Sequence, residues 1–140
     1  MKALSVSSFY AMQIMLGNKE IEWRTWQTSH RGELLICSNR ERVPGTIPNH
    51  ALCVVRITDV RPFVATKANL AAACLEKGDV DGGYAWYLDF VSVVKPFQVR
   101  GKPGLFDIPD EEIVRIDETT MTEEETSSFI EQCINPLLVV

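Results

Sequence analysis

The sequence predicts an α+β protein, a small mixed β-barrel flanked by short helices with an extra helix near the C-terminus. Three observations predict it. Short strand-like runs dominate the 140 residues and are separated by glycine- and proline-containing turns. Two short stretches between them carry helix signals, a possible serine cap in one and an alanine-rich run in the other. Thr122-Glu123-Glu124-Glu125 is a capping box, which opens a last helix over about 123–133.

Residues 2–6 read as the first strand. Ser7 or Ser8 caps a helix over 8–16 with Phe9, Met12 and Leu16 on one side, and Gly17 stops it. Strands follow over 20–25 and 32–38, then a loop from Asn39 to Asn49 that carries Arg40 and Arg42. Ala51-Leu52-Cys53-Val54-Val55-Arg56-Ile57 opens a strand over 51–61. Lys67 to Lys77 reads as a helix ended by Gly78. Tyr84 to Val94 is a strand that Lys95-Pro96 breaks, and a kinked connection with Gly101, Pro103 and Gly104 leads into a short final strand. Phe129, Ile130 and Cys133 would dock the last helix on the body, with the apolar run 137–140 beside them.

A chain of this length forms one core without staples. No apolar run approaches the ~20 residues of a membrane span, and the N-terminus carries no secretory apolar segment, so a cytoplasmic protein without membrane contact is expected. Cys37, Cys53, Cys74 and Cys133 include no Cys-x-x-Cys pair and read as buried reduced thiols, Cys37 and Cys53 in apolar strand-like runs and Cys74 on a helix-like run. With two separated histidines, His30 and His50, no metal site is predicted, and no cofactor is expected. Residues 1–106 carry 13 basic and 9 acidic side chains, while 107–140 carry Arg115 against 10 acidic ones. A mildly basic body attracts phosphates. The acidic tail is a solvated face, a mimic of a phosphate backbone, or the contact for a protein partner.

The chemistry concentrates in Gly17-Asn18-Lys19-Glu20-Ile21-Glu22-Trp23-Arg24-Thr25-Trp26. Gly-Asn marks a tight turn. In the strand that follows, Ile21 and Trp23 would face the core, and Glu22 and Arg24 would share the other face with Trp26. Lys19, at the turn, can bend toward either face. An ammonium, a carboxylate, a guanidinium and an indole on one patch would grip a flat polar anion such as a nucleotide. An exposed Glu-Arg pair at this spacing is also an ordinary solvated pair worth ~0–1 kcal/mol.

These residues also carry a resemblance. Met1-Lys2-Ala3-Leu4-Ser5-Val6, Gly17-x-Lys19-x-x-Glu22-x-Arg24-x-Trp26, Thr28-x-x-Arg31-Gly32-x-Leu34-Leu35-Ile36, Gly83-Tyr84-Ala85-Trp86-x-Leu88 and Gly101-Lys102-x-Gly104-Leu105-Phe106-x-Ile108-Pro109 occur in the order found in the ASCH domain family. The resemblance spans about 1–109 and implies a PUA-like domain there, with 110–140 as an acidic extension packed on it. Where many relatives start the first helix with a Gln-Pro-Trp-like motif, this chain has Ser7-Ser8-Phe9. Relatives that resemble amidohydrolases acting on N4-acetylcytidine use a lysine, a nearby threonine and a glutamate. Here Glu22 occupies the third position after Lys19, so that threonine is absent.

Three functions stay open. In a binder of single-stranded RNA or a nucleotide, Lys19 and Arg24 would meet phosphate or base edges. Glu22 would accept from an exocyclic amine, Trp86 or Phe9 would stack on a base, and Ser8, Arg31 and Lys102 would complete the ligand-binding set. Trp86 reads equally as a core aromatic. In a hydrolase of a modified nucleoside, or a ribonuclease, Lys19 and Glu22 would be catalytic, Lys19 as a base with a depressed pKa. The third reading is a regulatory domain that contacts a protein through the acidic tail.

Overall fold

The computed structural model describes residues 1–140. Seven strands form one mixed sheet: β1 (Lys2–Val6), β2 (Ile21–Arg24), β3 (Gly32–Ser38), β4 (His50–Pro62), β5 (Tyr84–Gln98), β6 (Leu105–Asp107) and β7 (Arg115–Ile116). Three helices accompany them: α1 (Ser8–Met15), α2 (Lys67–Ala72) and α3 (Glu123–Phe129). The strand order is β2-β5-β4-β3-β1-β6, and β7 pairs with β5. β1 and β3 run parallel and the other neighbours antiparallel. The sheet curls into a half-barrel, as an α+β barrel-like fold requires, but its β2 and β6 ends do not pair with each other.

The main core, with Leu4, Ile14, Ile36, Leu52, Val55 and Trp86, lies between the sheet, α1 and the C-terminal segment. Leu35, Val54, Val94 and Phe106 form a second cluster. A third joins Ile21, Phe63, Ala73 and Ala85, with Trp23 against it, so Ile21 and Trp23 do point into apolar surroundings.

Several boundaries differ from those expected, each for a local reason. Ser7 caps α1, its hydroxyl accepting from the Tyr10 N–H at 3.3 Å. The helix buries Ser8, Ala11, Met12 and Ile14 and leaves Phe9 and Leu16 exposed, so the buried face is rotated from the expected stripe. α2 stops at Ala72 rather than continuing to Lys77, because Cys74 turns into the left-handed region at φ 55° and the Leu75 N–H returns to the Leu70 carbonyl. β5 runs through Lys95-Pro96. Ala51 opposes Phe97 and Cys53 opposes Val93, so β5 carries extra residues there, and Pro96 lies in the resulting bulge, where no ladder donor is required. The Lys95 N–H bonds instead to Val114, next to β7, a short strand the sequence pattern did not reveal.

The Thr122–Glu125 capping box forms as read. α3 then loosens into a π-helical turn over Ile130–Ile134 and a 3-10 turn over Asn135–Leu137. Ile134 is buried in the main core with Phe129, Leu137 and Leu138 against it. The Val139 N–H donates to Thr46 and the Gly45 N–H to Val139, tying the tail to the 39–49 loop. Part of the tail's acidity is spent on the body: Asp110 meets the N-terminal ammonium at 2.8 Å and Asp107 meets Lys2 at 3.1 Å. Arg115 grips Glu33. Cys37 and Cys53 are buried as expected, whereas Cys74 and Cys133 are only half-buried, and burial pushes the Cys37 thiol up to about 12. No helix is long and apolar enough to cross a membrane.

Gly83 fixes how β2 sits. Its φ is 74°, and a Cβ there would lie 2.5 Å from the Trp23 indole. Gly82, at φ 62°, has open space around it. Gly82→Ala should therefore cost only the left-handed penalty of about 1–2 kcal/mol. Gly83→Ala should cost about 1–3 kcal/mol more through overpacking. Urea unfolding of the two variants measures the difference, and equal costs would contradict this placement of Trp23.

Candidate functional site

Gly17, at φ 80°, ends α1, and the N–H groups of Asn18 and Lys19 both bond to the Gln13 carbonyl. This tight exit drops Lys19 immediately before the β2 edge strand. β2 pairs with β5 so that Glu22 opposes Trp86 and Arg24 opposes Tyr84. Cross-strand partners share a face, so Glu22 and Arg24 stand over an aromatic floor on one side of the strand.

The three charged groups meet. Lys19 Nζ lies 3.8 Å from Glu22 Oε1, and Arg24 Nη2 lies 3.7 Å from Glu22 Oε2. The side chains of Lys19 and Glu22 are 1% and 6% exposed, and that of Arg24 is 27% exposed. The ammonium donates to the Ala73 carbonyl at the end of α2 and sits 4.5 Å from the centre of the Tyr10 ring. Glu22 Oε1 accepts from the Trp23 N–H at 3.0 Å, and Arg24 Nη2 donates to the Ser5 carbonyl at 3.0 Å. That leaves Glu22 Oε2 and Arg24 Nε, both buried and both without a hydrogen-bond partner in the protein. A buried acceptor and a buried donor left unmet on one pair of side chains are costly unless something else meets them.

The other expected site residues divide. Trp86 is not an available stacking ring: it is 0% exposed, its indole N–H donates to the Trp26 carbonyl at 3.2 Å, and the two rings meet edge to face. Ser8 is enclosed as well, its hydroxyl donating to the Glu41 carbonyl at 2.6 Å and pinning the 39–49 loop over α1. Arg31 is bound into its own loop through the Thr28 and His30 carbonyls, with Asp59 at 4.0 Å. Phe9 is 45% exposed and packs edge-on against Tyr10. Lys102 lines a separate polar pocket that Ser5 also borders.

Tyr10 is the residue that sequence reasoning missed. Burial, followed by Asp79, Glu22, Cys74 and Glu41, raises its pKa above the ordinary tyrosine value. The signal for it was positional, an aromatic one turn into a helix whose end delivers Lys19. No group of three or more His, Cys, Asp or Glu is arranged to hold a metal ion.

Burial lowers the Lys19 pKa, Glu22 and Cys74 oppose that shift, and Arg24 adds to it. A base held below its unfolded value opposes folding while charged in both states. The opposition is lifted as pH rises from the lowered pKa toward the unfolded value of 10.5. The stability of the protein relative to Lys19→Met should therefore rise across that alkaline window. Urea unfolding at stepped pH checks this, and a flat difference would contradict it.

The ASCH domain profile matches residues 4–100, more than half of the chain. Among curated protein sequences, none matches. A crystal structure of a serine-to-alanine variant of the ASCH protein of Zymomonas mobilis is 14% identical, covers 79% of this chain and 89% of that one, and superposes with a TM-score of 0.61. A tyrosine-to-phenylalanine variant of that protein, also 14% identical, covers 94% and 96% with a TM-score of 0.56. The structure titled simply as the ASCH protein of that organism is 12% identical, covers 79% and 89%, and has a TM-score of 0.54. At these identities the likeness shows the fold.

Proposed function

The chain belongs to the ASCH domain family, and from that premise we propose that it binds single-stranded RNA or a free nucleotide, seating one base against Glu22 and Arg24. The observation that carries this reading is the unmet pair, Glu22 Oε2 and Arg24 Nε. A carboxylate oxygen that accepts and a guanidinium N–H that donates complement the edge of cytosine, whose exocyclic amine donates and whose adjacent ring nitrogen accepts. A duplex hides that edge, so a base splayed from a single strand suits the site better. Phe9, the exposed ring next to Tyr10, is the candidate for stacking. Lys19 acts from behind, fixing the Glu22 carboxylate, because its own ammonium is bound to Ala73.

The lowered pKa of Lys19 favours a second reading, hydrolysis of a modified nucleoside such as N4-acetylcytidine. Water would add to the acetyl carbonyl as Lys19 or Glu22 takes its proton, and return of that proton to N4 as the C–N bond breaks would release cytidine and acetate. Incubation with N4-acetylcytidine, read by mass spectrometry, separates the two: conversion that vanishes in Lys19→Ala supports the enzyme, and unchanged substrate supports the binder.

For the binder, Glu22→Gln keeps the shape but replaces an acceptor-only group. Binding of a cytosine-containing single-stranded RNA should weaken by about 1–3 kcal/mol, the discrimination a paired base contact carries. Fluorescence anisotropy at fixed salt measures it. Unchanged affinity in a variant that circular dichroism shows to be folded at the assay temperature would contradict the role of Glu22.

A further inference from the structure

We propose that the pocket formed by Arg40, Arg100 and Lys102 is a phosphate subsite for the nucleotide whose base lies against Glu22 and Arg24. The assignment rests on that base-binding reading and adds where the phosphate goes. The base site leaves little for a phosphate: the Lys19 ammonium is enclosed against Ala73 and Tyr10, and one Arg24 nitrogen is committed to Ser5.

The second pocket has the complementary character. Besides the three cations it is bordered by Ser5, Asn39 and Asn49, and no hydrophobic residue or carboxylate lines it. None of the three cations is engaged in an ion pair within the protein. Unpaired guanidinium and ammonium groups among amide and hydroxyl donors, with no apolar wall for a base, suit a tetrahedral oxyanion.

The backbone builds this pocket from three distant segments. The Asn39 N–H bonds to Val6 at the end of β1, the Asn49 N–H to Asn39, and the Val99 N–H to Asn49. Asn49 takes φ 59° at this junction. Gly101 lies so close to β1 that a Cβ would fall 2.6 Å from Ser5 Oγ. Ser5 joins the two sites, since its residue borders the basic pocket while its carbonyl holds Arg24. The fold thus sets the cations beside the strand that anchors the base-reading arginine.

The test is calorimetric titration of the full chain with cytidine and with its 3′- and 5′-monophosphates. Wild type should bind one monophosphate at least tenfold more tightly than cytidine. Arg100→Ala/Lys102→Ala, which changes two exposed side chains, should erase that preference, leave cytidine affinity unchanged and lower the salt dependence of RNA binding. Arg40→Ala provides a second, independent variant that should shrink the preference. If wild type binds all three ligands equally while Glu22→Gln weakens them all, the base reading stands and the phosphate subsite is wrong. A preference that survives in the double variant also overturns the subsite. If wild type binds none of the three, the base reading falls and the subsite falls with it.

Discussion

Arg24 reaches from the β2 edge of the half-barrel to the Ser5 carbonyl on β1, close to the opposite end of the sheet. β6 pairs only with Lys2, Ala3 and Leu4, so beyond it the barrel has no ladder to continue. The guanidinium bridges the gap that strand pairing leaves open. Because Glu22 lies 3.7 Å from Arg24 and Lys19 lies 3.8 Å from Glu22, the same strap carries a buried charge chain along the inner face of β2. Removing one member of such a chain typically costs about 3–5 kcal/mol, since a charge is left buried without its partner. Closure of the fold and construction of the site are therefore one problem with one set of residues.

Within that chain the roles separate by satisfaction. Lys19 is fully occupied by a carbonyl, a carboxylate and an aromatic face. Glu22 uses one oxygen on the β2 backbone, and the other, 3.7 Å from Arg24 Nη2, accepts no hydrogen bond. Arg24 uses Nη2 on β1 and keeps Nε free. What remains is a donor and an acceptor held by partners that cannot easily move, which is the preorganisation that selective recognition of a planar edge requires.

Much of this was legible in the sequence. The Glu22-x-Arg24 spacing placed two charges on one strand face because a period-2 strand leaves few other arrangements, whereas the direction of Lys19 at the turn stayed open until its contacts with Ala73 and Glu22 fixed it. The capping box at Thr122 was legible because it is a local interaction. Trp86 was not, since strand alternation cannot say which face is enclosed: β5 is covered by the C-terminal segment and by the Trp26 ring. The early end of α2 was hidden because alanine-rich propensity favours helix, while the turn at Cys74 is set by the surrounding structure. Strand β7, two residues long, exists only through its partner β5. The neighbourhood of Arg40, Arg100 and Lys102 depends on contacts between segments far apart in the chain, which no local pattern encodes.

The central claim is that Arg24 Nε and Glu22 Oε2 are the atoms a base completes. The most direct measurement is the ¹⁵N–¹H resonance of the Arg24 Nε–H during titration with cytidine monophosphate. The account predicts a saturable downfield proton shift as Nε gains an acceptor, with the Lys19 ammonium signal left in place. An Arg24 Nε–H that stays fixed while the nucleotide binds would contradict it.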